Sequence, residues 1–398
     1  MTRERLRVLF VTHAFPRTSG DAAGSFLLRL ARALADEDVA VTVVAPAGTH
    51  AGGETLAARE SIDGIDVRRF RYAPRDWETL AYTGAMVESV AGSARGKLAL
   101  GGLLSAEHRA VTRAMREIRA DAVHAHWWFP NALAAAGPAR RADVPLVITS
   151  HGTDLRLLER TPAAAPLARY AFRRASAVTC VSSWLADIAR PFAEREPIVA
   201  PMPADTSVFT PGGERAADTL LFVGRMTEQK GIADAIEALV RLRSTSATLD
   251  VVGEGPLLAD VQQRARTLGV GERVRFHASM PPRELAAMYR RASALLVPSS
   301  GEGLGLVAVE AQLCTTPVIA YDSGGLPDVV KHDVSGLLVR PGDVDALATA
   351  TDRVLDDPAL ARRLGETGRG HALARFAPEA AAQTYAAIYQ QLREIRAA

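Results

Sequence analysis

Short apolar runs alternate with longer amphipathic segments along the whole chain, and that alternation leaves few folds open. A buried strand followed by a helix, repeated many times, builds parallel sheets covered by helices, an α/β architecture. In the first half, strands are expected at Val8–Val11, Val41–Val44, Ala122–His124, Leu146–Thr149, Ala177–Val181 and Ile198–Ala200. In the second half they are expected at Leu220–Val223, Leu249–Val252, Val274–Phe276, Leu295–Val297, Val318–Ala320 and Leu337–Val339. Helices are expected at Phe26–Ala35, Ile232–Leu242, Leu257–Leu268 and Glu284–Arg291. The pattern predicts two doubly wound sheets.

With 398 residues, the chain exceeds what one hydrophobic core supports, so two domains of roughly 150–200 residues are expected. Periodicity stops where proline and glycine cluster, from Pro201-Met202-Pro203-Ala204-Asp205 to Pro211-Gly212-Gly213, which marks the linker. No run of about 18 uncharged apolar residues is present, so no spanning helix is expected. The start Met1-Thr2-Arg3-Glu4-Arg5 leads into a strand-like run without a signal-peptide pattern. A net charge of +2, from 47 basic and 45 acidic residues, argues against nucleic acid as the partner. Cys180 and Cys314 are the only cysteines; lying far apart in apolar segments, they suit a reducing cytoplasm and no disulfide framework.

Two loops carry the chemistry of the second half. After Ala294-Leu295-Leu296-Val297-Pro298 come Ser300-Gly301-Glu302-Gly303-Leu304-Gly305-Leu306, and Glu310 follows Glu302 after seven intervening residues. Strand, glycine-rich turn and helix entry bring unpaired amides suited to an anion, while the glutamates suit hydroxyls. A nucleotide-sugar, with both phosphates and hydroxyls, fits. The strand Leu220–Val223 ends in Gly224-Arg225-Met226-Thr227-Glu228-Gln229-Lys230-Gly231. Gly224 allows close backbone approach, Arg225 offers a planar fork for phosphate, and Lys230 adds a point charge at the ligand-binding end of a parallel strand.

The first half is less explicit. His151, in Thr149-Ser150-His151-Gly152, follows a strand and stands at its upper edge; Asp154 reads as a cap for the next helix. The loop from His13 to Phe26 holds Gly20, Asp21 and Gly24 but no Gly-x-Gly-x-x-Gly fingerprint, which removes the main support for hydride transfer. Asp21 reads either as an acceptor contact or as a helix cap. His124-Ala125-His126-Trp127-Trp128 offers two histidines without a third ligand in reach, and aromatics, Trp127 and Trp128, that either stack on an acceptor or pack in the core. Asp343-Val344-Asp345, after Pro341-Gly342, reads as a helix cap and not as a metal motif. Arg71–Ser105, with Tyr72, Trp77 and Tyr82, is an insertion that either lies near a cleft or membrane surface or packs its aromatics onto the sheet.

The sequence Gly224-Arg225…Lys230-Gly231 followed by Glu302-x7-Glu310 resembles the signature of retaining glycosyltransferases of family 4. Val252-Gly253-Glu254-Gly255-Pro256-Leu257, Gly324-Gly325-Leu326-Pro327-Asp328 and the His151-Gly152 loop are similar to further segments of that family. The resemblance implies a GT-B fold, with two facing Rossmann-like domains, an interdomain cleft, and a C-terminal helix crossing back to the first domain. Domains are then expected at 1–205 on the acceptor side, 212–375 on the nucleotide-sugar side, and 376–398 as the returning helix.

The same resemblance implies roles for individual residues. Arg225 and Lys230 neutralise the donor diphosphate, the amides of Gly303, Leu304, Gly305 and Leu306 point at the phosphates, Glu302 holds sugar hydroxyls and Glu310 the ribose. His151 lies beside the donor sugar, and Gly20 and Gly24 match a donor-side glycine loop loosely. No metal or other cofactor is implied beyond the donor substrate. The acceptor is a sugar, glycolipid or small molecule, with peripheral contact at the cytoplasmic membrane face through the basic residues of Arg68–Arg75 and Arg95–Lys97. Departures occur at Ala204, Ala278 and Thr315, where the family favours glycine or an Asn-Gly turn. Competing readings are an epimerase or phosphorylase of the same architecture and a non-catalytic sugar-nucleotide-binding protein.

Overall fold

The computed structural model describes residues 5–21, 23–48, 56–82 and 86–397. The charged start Met1–Glu4 and residues 83–85 of the insertion lie outside them. The chain forms two compact units, Met1–Pro203 together with Pro378–Ala398, and Ala204–Ala377.

The first unit holds an eight-stranded sheet: β1 (Leu6–Val11), β2 (Val39–Pro46), β3 (Arg59–Ile62), β4 (Ile65–Phe70), β5 (Ala122–His126), β6 (Leu146–Ser150), β7 (Ala177–Cys180) and β8 (Ile198–Val199). Its strand order is β3-β4-β2-β1-β5-β6-β7-β8, parallel except for the β3–β4 hairpin. The second unit holds six parallel strands: β9 (Thr219–Val223), β10 (Thr248–Val252), β11 (Val274–His277), β12 (Ala294–Val297), β13 (Val318–Tyr321) and β14 (Leu337–Val339). Their order is β11-β10-β9-β12-β13-β14. Each strand expected from the sequence is present, its ends shifted by at most two residues.

In both sheets the first strand sits centrally, and the chain adds strands on one side before returning to the other. The reversal falls between β1 and β5 in the first unit and between β9 and β12 in the second. Connections on either side of such a reversal depart to opposite faces, opening a crevice at the carboxyl ends of the strands. Residues following β1, β5, β9 and β12 are therefore the ones the fold delivers to a ligand.

Apolar periodicity does not reveal the β3–β4 hairpin, because β4 carries Asp66, Arg68 and Arg69. Its turn, Asp63-Gly64, has φ values of 49° and 83°, the positive pair that an Asp-Gly hairpin turn adopts. Arg69 is buried on this strand because its guanidinium donates to Glu60 (2.8 Å), the Tyr82 hydroxyl (2.8 Å) and the Pro16 carbonyl (2.7 Å). Tyr82 donates in turn to Pro46 O (2.8 Å), and the buried Tyr72 hydroxyl accepts from Leu80 N (2.9 Å). The insertion thus packs Tyr82 against β2 and β4 and buries Tyr72 beneath its own Leu80 turn.

The C-terminal helix Pro378–Ala397 belongs to the first unit. It buries Ala381, Ala382, Tyr385, Ile388, Tyr389 and Leu392, a stripe at helical spacing. The two tyrosines bring hydroxyls into that apolar contact, and each finds a partner under the sheet: Tyr385 donates to Ala200 O (3.0 Å), and Tyr389 meets the His124 ring. Among the described residues no helix is long and apolar enough to cross a membrane.

Candidate active site

The loops after β9 and β12 meet at the reversal of the second sheet. Ser300 N donates to Gln229 O (2.8 Å) and the Gln229 side-chain amide donates to Gly301 O (3.2 Å), so the two turns are stitched together. The chain can run this close only with glycine beside each functional side chain. A Cβ on Gly231 (φ 69°) would lie 1.9 Å from Pro298 O, and one on Gly324 (φ 61°) 2.5 Å from Glu302 O. This packing brings the Lys230 ammonium into a hydrogen-bonded ion pair with Glu302, whose side chain is largely buried. Residues that the sequence assigns to different ligand groups are therefore joined directly.

Arg225, at the start of the same loop, is exposed, and its guanidinium has no partner among the described residues. Gly224 and Arg225 line a cavity of about 580 Å³ with Gly253, Gly255, Met280 and Leu285, at the carboxyl ends of β9, β10 and β11. A second cavity of about 580 Å³, lined by Arg215, Asp218, Ser293 and Thr315, opens at the opposite, amino edge of the sheet. The residues before β9, β12 and β13 line it, away from the glycine loops.

Glu302 leads into the helix Leu306–Leu313, whose N-cap Gly305 is left-handed (φ 92°). Among the described residues nothing accepts from the amides of Gly303, Leu304, Gly305 or Leu306, so the positive end of the helix is open to an anion. Glu310 lies within that helix and accepts from the Tyr289 hydroxyl (3.0 Å). Burial, and then the Glu310 charge, hold the Tyr289 phenol well above its ordinary pKa, so it remains a donor.

The first unit gathers aromatic and imidazole rings at its own reversal. Trp127, directly after β5, has φ 68° and ψ 128°, a strained backbone that turns its ring out of the strand alternation. The indole lies 4.2 Å from the His151 ring, 4.6 Å from His13 and 6.2 Å from Phe26, centroid to centroid. Asn131 donates one amide proton to His126 O (2.5 Å) and the other to His13 Nδ1 (2.9 Å). Hydrogen-bond accounting then places the His13 proton on Nε2. His126 Nδ1 and His151 Nε2 are 3.2 Å apart. Burial, with repulsion from His13, lowers the His151 pKa to about 3, and burial lowers that of His13 to about 4, so both rings are neutral at physiological pH.

Several residues stand elsewhere than one reading of the sequence places them. Trp128 is fully buried, donates its indole N–H to Asp154 O (2.7 Å) and packs near Phe172; it is a core residue and cannot stack on an acceptor. Asp154 is not the N-cap, which is Gly152. Its carboxylate accepts from the amides of His151 (3.1 Å), Gly152 (3.0 Å) and Trp128 (3.0 Å), fixing the loop that carries His151.

Asp21 pairs with Arg17 at 2.6 Å and accepts from Ala23 N (3.2 Å). Burial raises its pKa, and the hydrogen bonds from Arg17 and the two amides outweigh it, so the carboxylate is held ionised as a brace for its own loop. Gly24 (φ 71°) lets the chain pass Ala14, whereas a Cβ on Gly20 would meet open space. Asp343 caps its helix by accepting from Ala346 N (2.9 Å). Among the described residues no cluster of three or more His, Cys, Asp or Glu is placed to hold a metal ion. Sequence reasoning did not single out His13 or Asn131 as site residues; their signal is position alone, directly after the strands that flank the reversal.

Residues 22–202 match the family model of the glycosyl transferase 4-like domain, and residues 212–371 that of the glycosyl transferases group 1. The chain is 31% identical to the glycogen synthase of Mycobacterium tuberculosis over 96% of its own length and 94% of the relative's. It is 32% identical to the D-inositol 3-phosphate glycosyltransferase of Kribbella flavida, covering 96% of this chain and 93% of that one. The Anabaena protein HepE, solved in complex with UDP, shares the fold with a TM-score of 0.71 at 20% identity, over 97% of this chain and 100% of that one. The chain belongs to the family-4 glycosyltransferases of GT-B fold.

Proposed function

We propose that the protein moves a sugar from a nucleotide-diphosphate donor to an acceptor hydroxyl with retention at the anomeric carbon, in the synthesis of a surface polysaccharide, glycolipid or related glycan. The observation that carries this reading is the Lys230–Glu302 ion pair across the β9–β12 reversal, with the free Arg225 on the same loop and four open amides beyond it. Cations and amides aimed at one place suit the charge that develops on a departing diphosphate. Glu302, anchored by Lys230, holds a sugar hydroxyl against that phosphate; Glu310, already an acceptor for Tyr289, takes the ribose. The glycine-walled cavity beside Arg225 suits the flat base, and the Anabaena neighbour, solved with UDP and with UDP-glucose, supports a nucleotide-sugar in this class of fold.

Neither glutamate is poised as a covalent nucleophile, since one is paired with Lys230 and the other bonded to Tyr289. The acceptor oxygen therefore attacks the face that the phosphate leaves. Its bond to the anomeric carbon forms as the carbon–phosphate-oxygen bond breaks, and its proton passes to the departing phosphate oxygen. His151, neutral, hydrogen-bonds the donor sugar without adding charge.

The basic residues in 68–75 give little support to membrane docking, because Arg68 pairs with Glu117 (2.7 Å), Arg69 with Glu60 (2.8 Å) and Arg71 with Glu78 (2.8 Å). The test is a thermal-shift panel of UDP-, GDP- and ADP-sugars, followed by product analysis with and without an acceptor polyol. One nucleotide class is expected to raise the melting temperature, and a glycosylated product is expected only with acceptor. An isomerised sugar nucleotide formed without acceptor would overturn the transfer reading.

A further inference from the structure

Beneath His151 lies a buried run of polar side chains that reaches the C-terminal helix, and the reaction outlined above leaves it unused. Tyr385 donates to Ala200 O (3.0 Å) and Thr179 donates to Ile148 O (3.2 Å). The Thr149 and Thr179 hydroxyls are 2.5 Å apart. Thr149 Oγ1 also lies 3.2 Å from the Tyr385 hydroxyl and 2.6 Å from His124 Nε2. His124, which burial keeps neutral, is hydrogen-bonded to the Tyr389 hydroxyl through Nδ1 at 2.6 Å.

The His124 ring, fixed at both nitrogens, is the plate on which His126 rests, with centroids 4.0 Å apart and Phe10 closing another side at 4.8 Å. His126 is fully buried and also neutral, so it has one proton for two nitrogens. Its Nδ1 faces His151 Nε2 at 3.2 Å, and its buried Nε2 has no partner among the described residues. Were His151 the donor, the His126 proton would sit on Nε2 as a stranded N–H, costing about 1–3 kcal/mol. A stranded lone pair is the better tolerated of the two.

We infer that His126 is a positioning residue that donates from Nδ1 to His151 Nε2, locking His151 in the Nδ1–H tautomer so that it presents a hydrogen-bond donor on its free nitrogen. Among the described residues nothing occupies His151 Nδ1, whose proton is left for a ligand oxygen. The lock rests on the proposed contact of His151 with the donor sugar for its catalytic meaning, but not for its geometry.

The two parts are therefore tested separately. In the full-length protein labelled with 15N-histidine, long-range 1H–15N spectra, assigned by the signals lost in His151→Gln, read the tautomer directly. A protonated Nδ1 and bare Nε2 on His151 are expected, and a protonated Nε2 would overturn the lock. In kinetics, His126→Ala is expected to lower kcat roughly tenfold or more with little change in donor KM. His126→Asn, whose amide can donate from near the Nδ1 position, is expected to recover most of that loss. Equal losses in the Ala and Asn variants, each shown to be folded by circular dichroism, would contradict a donated hydrogen bond. Unchanged turnover in His151→Ala would instead remove the sugar contact, leaving the spectra to judge the tautomer.

Discussion

At the scale of single residues, neighbours in sequence divide sharply between core and site. Trp127 and Trp128 are chemically identical, adjacent and both buried, yet Trp127 faces three rings at the sheet reversal while Trp128 is wholly enclosed in the core. The positive φ of Trp127 breaks the strand alternation at that point, and no composition or spacing announces it. Trp128→Ala is expected to cost about 3–5 kcal/mol of stability, as loss of a large buried aromatic does. Where the variant remains folded, acceptor KM is expected to be unchanged; chemical denaturation and steady-state kinetics read the two effects. A stable variant with weakened acceptor binding would return Trp128 to the site. Arg225, Lys230, Glu302 and His151 were legible because each follows a strand in a recognisable pattern. The bond between Lys230 and Glu302 was not, since 72 residues separate them and only strand order makes them neighbours.

At the scale of elements, most strands and the helices named from periodicity were legible, and failures arose where polar residues enter buried faces. β4 was missed because Arg69 is buried through hydrogen bonds instead of apolar character. The helix Ala94–Ile118 hides Glu107 in its buried stripe, with neither carboxylate oxygen partnered among the described residues, and burial alone raises its pKa to about 8.

This acid and the four histidines of the first sheet set opposite slopes of stability against pH. Glu107 has a raised folded pKa, so its contribution is intact below its ordinary value of 4.5 and is lost as pH rises towards about 8. His13, His124, His126 and His151 have lowered folded pKa values, so their contribution is intact above the ordinary 6.5 and is lost as pH falls through about 4 and 3 for His13 and His151. Between the two ordinary values four protons outweigh one. From these groups the melting temperature is expected to peak at about pH 7 and to decline on both sides. Glu107→Gln is expected to raise it at pH 8 more than at pH 5.5; an equal shift at both would contradict a neutral buried acid.

At the scale of the whole molecule, each unit winds its parallel strands outward from a central first strand, and each places its chemistry where that winding reverses. Cations, carboxylate and open amides collect at one reversal, neutral imidazoles and an indole at the other. The two-sheet plan follows from the alternation of apolar and amphipathic segments. The contact of the C-terminal helix with His124, made across 265 residues, does not, because Tyr385 and Tyr389 look in sequence like ordinary members of an apolar stripe. On the proposed function, the reversal of the second unit's sheet carries the diphosphate. Isothermal titration of the donor's nucleoside diphosphate into wild type and Arg225→Ala tests it most directly, because Arg225 is exposed and its loss leaves the Lys230–Glu302 pair in place. Binding is expected to weaken by roughly tenfold to a hundredfold, the scale of a lost charge-assisted contact. An unchanged Kd in a variant of unchanged melting temperature would contradict the account.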